Sequence, residues 1–267
     1  MNRAIKRITK DIRDIYKNPL NENKIYIHYD DENIFKMYCL IIGTENTPYE
    51  DGFYLFDFTF TEEYPLKPPK VKYCTLNGNI RFNPNLYTCG KVCLSILNTW
   101  HGEQWSPVNS ITTILLAIQS FVLIQEPLRN EPGFEDCQDD RISNYDDIIY
   151  FENFNTAIYK MLVSEDQRFE VFKPIMIQYY HENYDKIINN YDLFVDRMLK
   201  KYKKNPIIFN AVYSMQYRPN FQKTRDNLTS YYNLLNNNSN RAEDEDQAQS
   251  QAEDCHSIKK NDCEDNI

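Results

Sequence analysis

No stretch of this 267-residue chain approaches the roughly 18 consecutive apolar residues that a transmembrane helix needs, so no spanning segment is expected. Positive charge is also short: 30 Lys and Arg stand against 39 Asp and Glu, a net charge of −9. Phosphate recognition requires a basic face, so nucleic acid is excluded as the main partner. Histidine is sparse, with only His28, His101, His181 and His256. A thiol hydrolase needs a His base near its Cys, and the sequence around Cys93 fits no papain-type pattern. The seven Cys are odd in number, and no secretory signal opens the chain. Reduced thiols in a soluble cytoplasmic or nuclear protein are expected, not a disulfide framework. A zinc site assembled from Cys74, Cys89, Cys93 and His101 would lack the usual Cys-x-x-Cys pair, so no metal is expected. Glycine is scarce too, six residues against 21 Tyr, which reads as base composition rather than structure.

What is present is concentrated between Arg81 and Pro107. Asn83-Pro84-Asn85 reads as a turn, because Pro fixes φ and Asn tolerates left-handed geometry. Cys89-Gly90 is a second break, and Lys91 to Leu97 then runs apolar on alternate residues through Val92 and Leu94. Cys93 lies eight residues after Asn85, and the segment closes on Trp105-Ser106-Pro107. A lone Cys is usually a small buried hydrophobe. A Cys in a non-repetitive segment, with a side-chain amide preset on a nearby turn, suggests a nucleophile beside a polarising donor.

These residues resemble the active-site signature of ubiquitin-conjugating (E2) enzymes: Asn85, then Cys93-Leu94, Ile96-Leu97 and Trp105-Ser106-Pro107. Two departures stand out. Asn83 occupies the place of the usual His, which is expected to weaken support of the turn, and the stretch from Leu97 to Trp105 is long. That length, with Asn130 to Glu135 downstream, is similar to the large Z-type branch of the family. The resemblance implies an α+β UBC fold: an N-terminal helix, a four-stranded antiparallel meander, the active-site segment, C-terminal helices and a helical C-terminal extension. The expected division is 1–135 for the catalytic core, 136–235 for the extension and 236–267 for a tail.

Periodicity supports that order. Ile5, Ile8, Ile12 and Ile15 mark one face of a helix that ends at Asn18-Pro19, with Arg3, Lys6, Arg7 and Lys10 off the stripe. Strands are expected over 25–29, 35–42, 53–60 and 71–76. In the third, Tyr54, Phe56, Phe58 and Phe60 alternate with Leu55, Asp57 and Thr59, as in a half-buried antiparallel strand. Tyr64 to Pro69 carries three Pro and must be a rigid loop. Ile111, Ile114, Leu115, Ile118 and Phe121-Val122 form a helical stripe after Ser110, with no Glu or Gln to complete a capping box. Further helices are expected over 144–163 and 187–199, the second running into Lys200, Lys201, Lys203 and Lys204. Beyond 236 the chain turns polar, and 241–267 holds nine acids and three basic residues. Such a segment buries too little apolar surface to offset its ordering entropy.

The resemblance implies that Cys93 takes ubiquitin, or a similar modifier, from an activating enzyme as a thioester. It then passes the acyl group to a substrate lysine or to a ligase. No cofactor is implied, because ATP is used by the activating enzyme. Asn85 would stabilise the oxyanion or hold the loop around it. Ser95 stands where many members have Asp, and Glu131 or Glu135 is a candidate for acid–base assistance. Arg3, Lys6 and Arg7 would meet the activating enzyme, and Leu66, Pro107 and Val108 a ligase. The competing expectation is a non-catalytic E2-like adaptor that binds ubiquitin, although such variants lack the Cys.

Overall fold

A computed structural model describes residues 2–78, 80–203 and 207–237. Two units are distinguished, Met1–Phe221 and Gln222–Ile267. In the second, 222–237 is helical. The expected tail, with Cys255, His256 and Cys263, otherwise lies outside the described residues, as does Lys204.

Helix α1, Arg3–Lys17, starts where the Asn2 side chain accepts the Ala4 N–H at 2.9 Å. Its buried face is Ala4, Ile8, Asp11, Ile12 and Ile15, so Ile5 falls to the edge of the stripe and only half-buries. Strands β1 (Ile25–Tyr29), β2 (Lys36–Ile42), β3 (Phe53–Thr59) and β4 (Lys70–Tyr73) make one antiparallel meander in sequence order. The register sets Leu40 opposite Leu55 and Phe56 opposite Tyr73. The last strand ends three residues before its expected limit. Thr75 explains this, for its hydroxyl donates to Phe53 O and accepts from Leu55 N–H, each at 2.9 Å, in place of a backbone ladder.

Strand β3 corrects the expectation of a half-buried strand, because Phe53 to Phe58 are all buried. One face presents Tyr54 and Phe56 to Tyr49, Tyr73 and Phe82. The opposite face is covered from the C-terminal side of the chain. The Phe169 ring packs edge-on to Tyr38 at 5.6 Å, and Tyr179 packs against Phe53 at 6.1 Å. Asp57, on that same face, pairs with Lys36 at 2.9 Å and Arg168 at 3.7 Å.

Helix α2, Ile111–Phe121, has the capping box that was not expected: Thr113 takes the role of Glu or Gln, accepting the Ser110 N–H at 3.2 Å. Its stripe is buried except for Phe121, which is 66% exposed. Helix α3, Asp140–Glu152, starts earlier than anticipated and widens into π-helical turns over Asn153–Lys160. Asn153 sits at that junction, donating to Glu50 O and accepting from the Tyr54 hydroxyl, both at 2.6 Å. Helix α4, Lys173–Tyr202, is more than twice its expected length, because its polar first half is anchored by just a few buried residues such as Met176 and Tyr180. Strands β5 (Ile208–Asn210) and β6 (Met215–Tyr217) form an unanticipated hairpin. No helix among the described residues is long and apolar enough to cross a membrane.

Candidate active site

The Asn83–Asn85 turn and the Cys93 segment bind each other reciprocally. The Cys93 N–H donates to Asn85 O at 2.9 Å, and the Asn85 side-chain amide donates to Cys93 O at 2.7 Å. The backbone on either side of Cys93 is held by Thr99, whose hydroxyl accepts from Leu94 N–H and donates to Val92 O, each at 2.9 Å. Cys93 is only 1% exposed, whereas Cys89 lies in the open. The backbone at Cys93 is therefore held by two side chains, Asn85 before it and Thr99 after it.

Asn83 is not a weak substitute in this turn, contrary to expectation. It is fully buried, and its amide donates to Val122 O at 2.7 Å and to the Tyr49 hydroxyl at 3.1 Å. Its side-chain oxygen accepts the Asn85 N–H at 2.8 Å. A short Asn can therefore tie the turn to the end of α2, because Tyr49 and Val122 come close enough to meet it.

Asn85, Leu94, Ser95, Trp100, Phe121 and Asn130 line a cavity of about 230 Å³ beside this segment. Ser95 begins a short 3₁₀ turn, and the longer stretch after Leu97 folds back over it. Gly102 has φ +116°, and a Cβ there would lie 3.2 Å from that of Ser95, so the fold-back requires glycine. Asn130 joins the cavity by donating to Phe121 O at 2.8 Å. Glu131 follows, and its carboxylate accepts the Tyr213 hydroxyl at 2.5 Å. Burial first, then the bond to Glu131, holds the Tyr213 phenol well above its usual range. Glu135 instead turns back to its own loop, accepting the Gly133 N–H.

The residues expected to face partners fall into two groups. Leu66 is exposed on the Pro-rich loop, and Pro107 and Val108 are exposed on the loop after Trp105. The two loops are fastened by the Trp105 indole N–H, which donates to Pro65 O at 2.7 Å. Arg3 and Lys6 project from α1 into solvent. Arg7 does not: it is half-buried, donates to Pro107 O at 2.7 Å and to Asn109 O at 2.5 Å, and pairs with Asp11 at 2.7 Å. Asp11 also accepts the Tyr64 hydroxyl, so this buried carboxylate links α1 to both loops. Sequence reasoning missed Asp11, Thr99 and Tyr213. Only Asp11 left a signal, as a charge inside an apolar stripe. Among the described residues, no three His, Cys, Asp or Glu side chains are placed to hold a metal ion.

The family model for ubiquitin-conjugating enzymes matches residues 7–148. Ubiquitin-conjugating enzyme E2 Z of Xenopus tropicalis is 41% identical over 186 residues, which cover 69% of this chain and 58% of that protein. The Homo sapiens E2 Z is 41% identical over 181 residues, covering 67% and 50%. This chain therefore spans between 50% and 58% of the length of these two relatives. Among solved structures, human ubiquitin-conjugating enzyme E2 G1 matches at 32% identity with a TM-score of 0.40, covering 45% of this chain and 94% of that one. With its helix, four-stranded meander and Cys-bearing segment in the expected order, the chain belongs to the ubiquitin-conjugating enzyme family and lies in its E2 Z branch.

Proposed function

We propose that this chain is an E2 that carries ubiquitin, or a related modifier, as a thioester on Cys93. The observation that carries this reading is the reciprocal pairing of Asn85 with Cys93, which fixes the backbone of one thiol among the chain's seven Cys. In the first step the Cys93 thiolate attacks the thioester carbonyl on an activating enzyme, and that enzyme's thiolate leaves. A free thiol is about 5–10% ionised near neutral pH, enough for exchange without a dedicated base. Because Cys93 is 1% exposed, its sulfur has to become accessible for this step.

In the second step a substrate amine attacks the Cys93 thioester to form an amide, or a ligase thiolate attacks it to form a new thioester, and in either case the Cys93 thiolate leaves. A free Lys is about 0.1% neutral at physiological pH, so the site has to help remove a proton. Glu131 is the assigned acceptor, with Ser95 at the cavity mouth. Leu66, Pro107 and Val108 form the ligase-facing surface, and Arg3 and Lys6 the surface for the activating enzyme. ATP is consumed by that enzyme, and this chain needs no cofactor. Residues 1–135 act as the catalytic core, 136–235 as a packed extension, and the compartment is cytoplasmic or nuclear.

Incubation with activating enzyme, ATP and ubiquitin should give an adduct that reductant dissolves. Cys93→Ser should give at most a reductant-stable oxyester, and Cys89→Ser should charge normally. Charging that survives Cys93→Ser and is lost in Cys89→Ser would move the nucleophile to Cys89. No adduct with any modifier would favour the adaptor reading.

A further inference from the structure

The tip of the β5–β6 hairpin, far along the chain, meets Arg81 at the start of the active-site segment and Glu131 in the loop after α2. Arg81, two residues before Asn83, has its guanidinium between two rings, 3.8 Å from the Tyr87 centroid and 4.3 Å from that of Tyr213. The same guanidinium donates to Pro84 O inside the turn. Its backbone is held by Tyr145, whose hydroxyl donates to Arg81 O at 2.5 Å, and by Met215 of β6, whose sulfur accepts the Arg81 N–H at 3.4 Å. On its other side Tyr213 donates its hydroxyl to Glu131 Oε2. Glu131 follows Asn130, whose amide lies 3.5 Å from the Asn83 oxygen. The hairpin is itself fastened, because the fully buried Asn210 donates to Arg141 O at 3.0 Å and accepts the Val212 N–H at 3.1 Å. One side chain is therefore linked through Arg81 to the turn that carries Asn85, and directly to the loop that carries Glu131.

We infer that Tyr213 is a positioning residue for the acceptor step, holding Glu131 and the Asn83–Asn85 turn in fixed relation through its hydroxyl and its ring. This inference rests on the proposed thioester chemistry. A planar guanidinium stacked between aromatic rings has few orientations open to it, so Tyr213 limits the motion of Arg81 and hence of Pro84. The phenol–carboxylate bond is charge-assisted and fixes a Glu side chain that would otherwise sample several rotamers. Proton removal from an incoming amine depends on such placement, since small displacements cost large factors in rate.

The full chain tests this with Tyr213→Phe, Tyr213→Ala, Glu131→Gln and the Tyr213→Phe, Glu131→Gln double variant. Thioester formation with ubiquitin, single-turnover discharge to free lysine and amide hydrogen exchange are each followed. Tyr213→Phe keeps the ring on Arg81 and loses the bond. It should slow discharge about tenfold, the effect of losing roughly one hydrogen bond in the transition state, while thioester formation changes less than twofold. Exchange should quicken in 129–136 and stay at the parental rate in 81–87. Tyr213→Ala should quicken both segments. The double variant should discharge no more slowly than Glu131→Gln, because the two residues act through one contact. Parental discharge by Tyr213→Phe, or effects that multiply in the double variant, would overturn the inference. If the parent chain forms no thioester, the enzymatic reading fails. Exchange then decides the clamp alone, and unchanged rates at 129–136 in Tyr213→Phe would refute it.

Discussion

The side-chain amide of Asn85 donates to the carbonyl oxygen of Cys93 at 2.7 Å. In this state the amide is committed to the backbone of Cys93, not to the place where an oxyanion would form. Asn85→Ala is therefore expected to slow thioester formation and lysine discharge alike, with a loss of about 1 kcal/mol of stability. Rates for both steps and a urea titration check this. Normal charging with discharge slowed by about 10²–10³ would instead mark Asn85 as an oxyanion donor.

Asn83 makes a second, separable prediction. Its polar partners, Val122 O, the Tyr49 hydroxyl, the Asn85 N–H and, at 3.5 Å, the Asn130 amide, surround a fully buried side chain. Asn83→Ala strips hydrogen bonds from groups that have no access to water, at a cost of about 2–4 kcal/mol. Chemical denaturation measures it. A loss below about 0.5 kcal/mol would mean that the turn is held by its Pro84 backbone alone.

Local pattern was legible and long-range contact was not. The period of two in Tyr54, Phe56 and Phe58, and of 3.6 in Ile8, Ile12 and Ile15, located β3 and α1 to within a residue or two, because each needs only its own side chains to face one way. The spacing from Asn85 to Cys93 likewise announced a pair that the fold brings together. The burial of the second sheet face did not show, since it depends on Phe169 and Tyr179, more than a hundred residues away. The β5–β6 hairpin has three-residue strands, too short to display a period. Tyr213 and Glu131 meet across 82 residues with nothing local to signal it.

Burial of both faces of β3 predicts how the core behaves alone. Ending the chain before Asp140 removes Phe169, Tyr179 and Arg168 together. Phe53, Leu55 and Tyr38 would then face water, and Asp57 would lose Arg168 and keep Lys36 and the Thr59 hydroxyl. An apolar sheet face of this kind associates. The truncated chain should form concentration-dependent oligomers in light scattering where the full chain does not. A monodisperse monomer over the same concentrations would show that the extension is dispensable for covering the sheet.

Asp146 gives the chain a pH dependence of a definite sign. Its neighbour Asp147 takes the nearby cations, pairing with Lys201 at 2.6 Å and Arg197 at 3.3 Å. Asp146 Oδ1 is shut away from solvent with no hydrogen-bond partner. Desolvation, followed by the charges of Glu126 and Asp147, pushes the Asp146 carboxyl up to about 7. An unfolded Asp titrates near 3.9. Between about 4 and about 7 the folded chain holds a proton that the unfolded chain has released, so this group's contribution makes stability fall as pH rises, and it levels off above that window. Asp146→Asn cannot ionise and escapes that loss. The gap in urea midpoint between Asp146→Asn and the parent should therefore be smallest near pH 4, widen towards pH 7 and hold constant at pH 8. A gap that stays the same from pH 4 to pH 8 would mean that Asp146 titrates as an ordinary surface carboxylate.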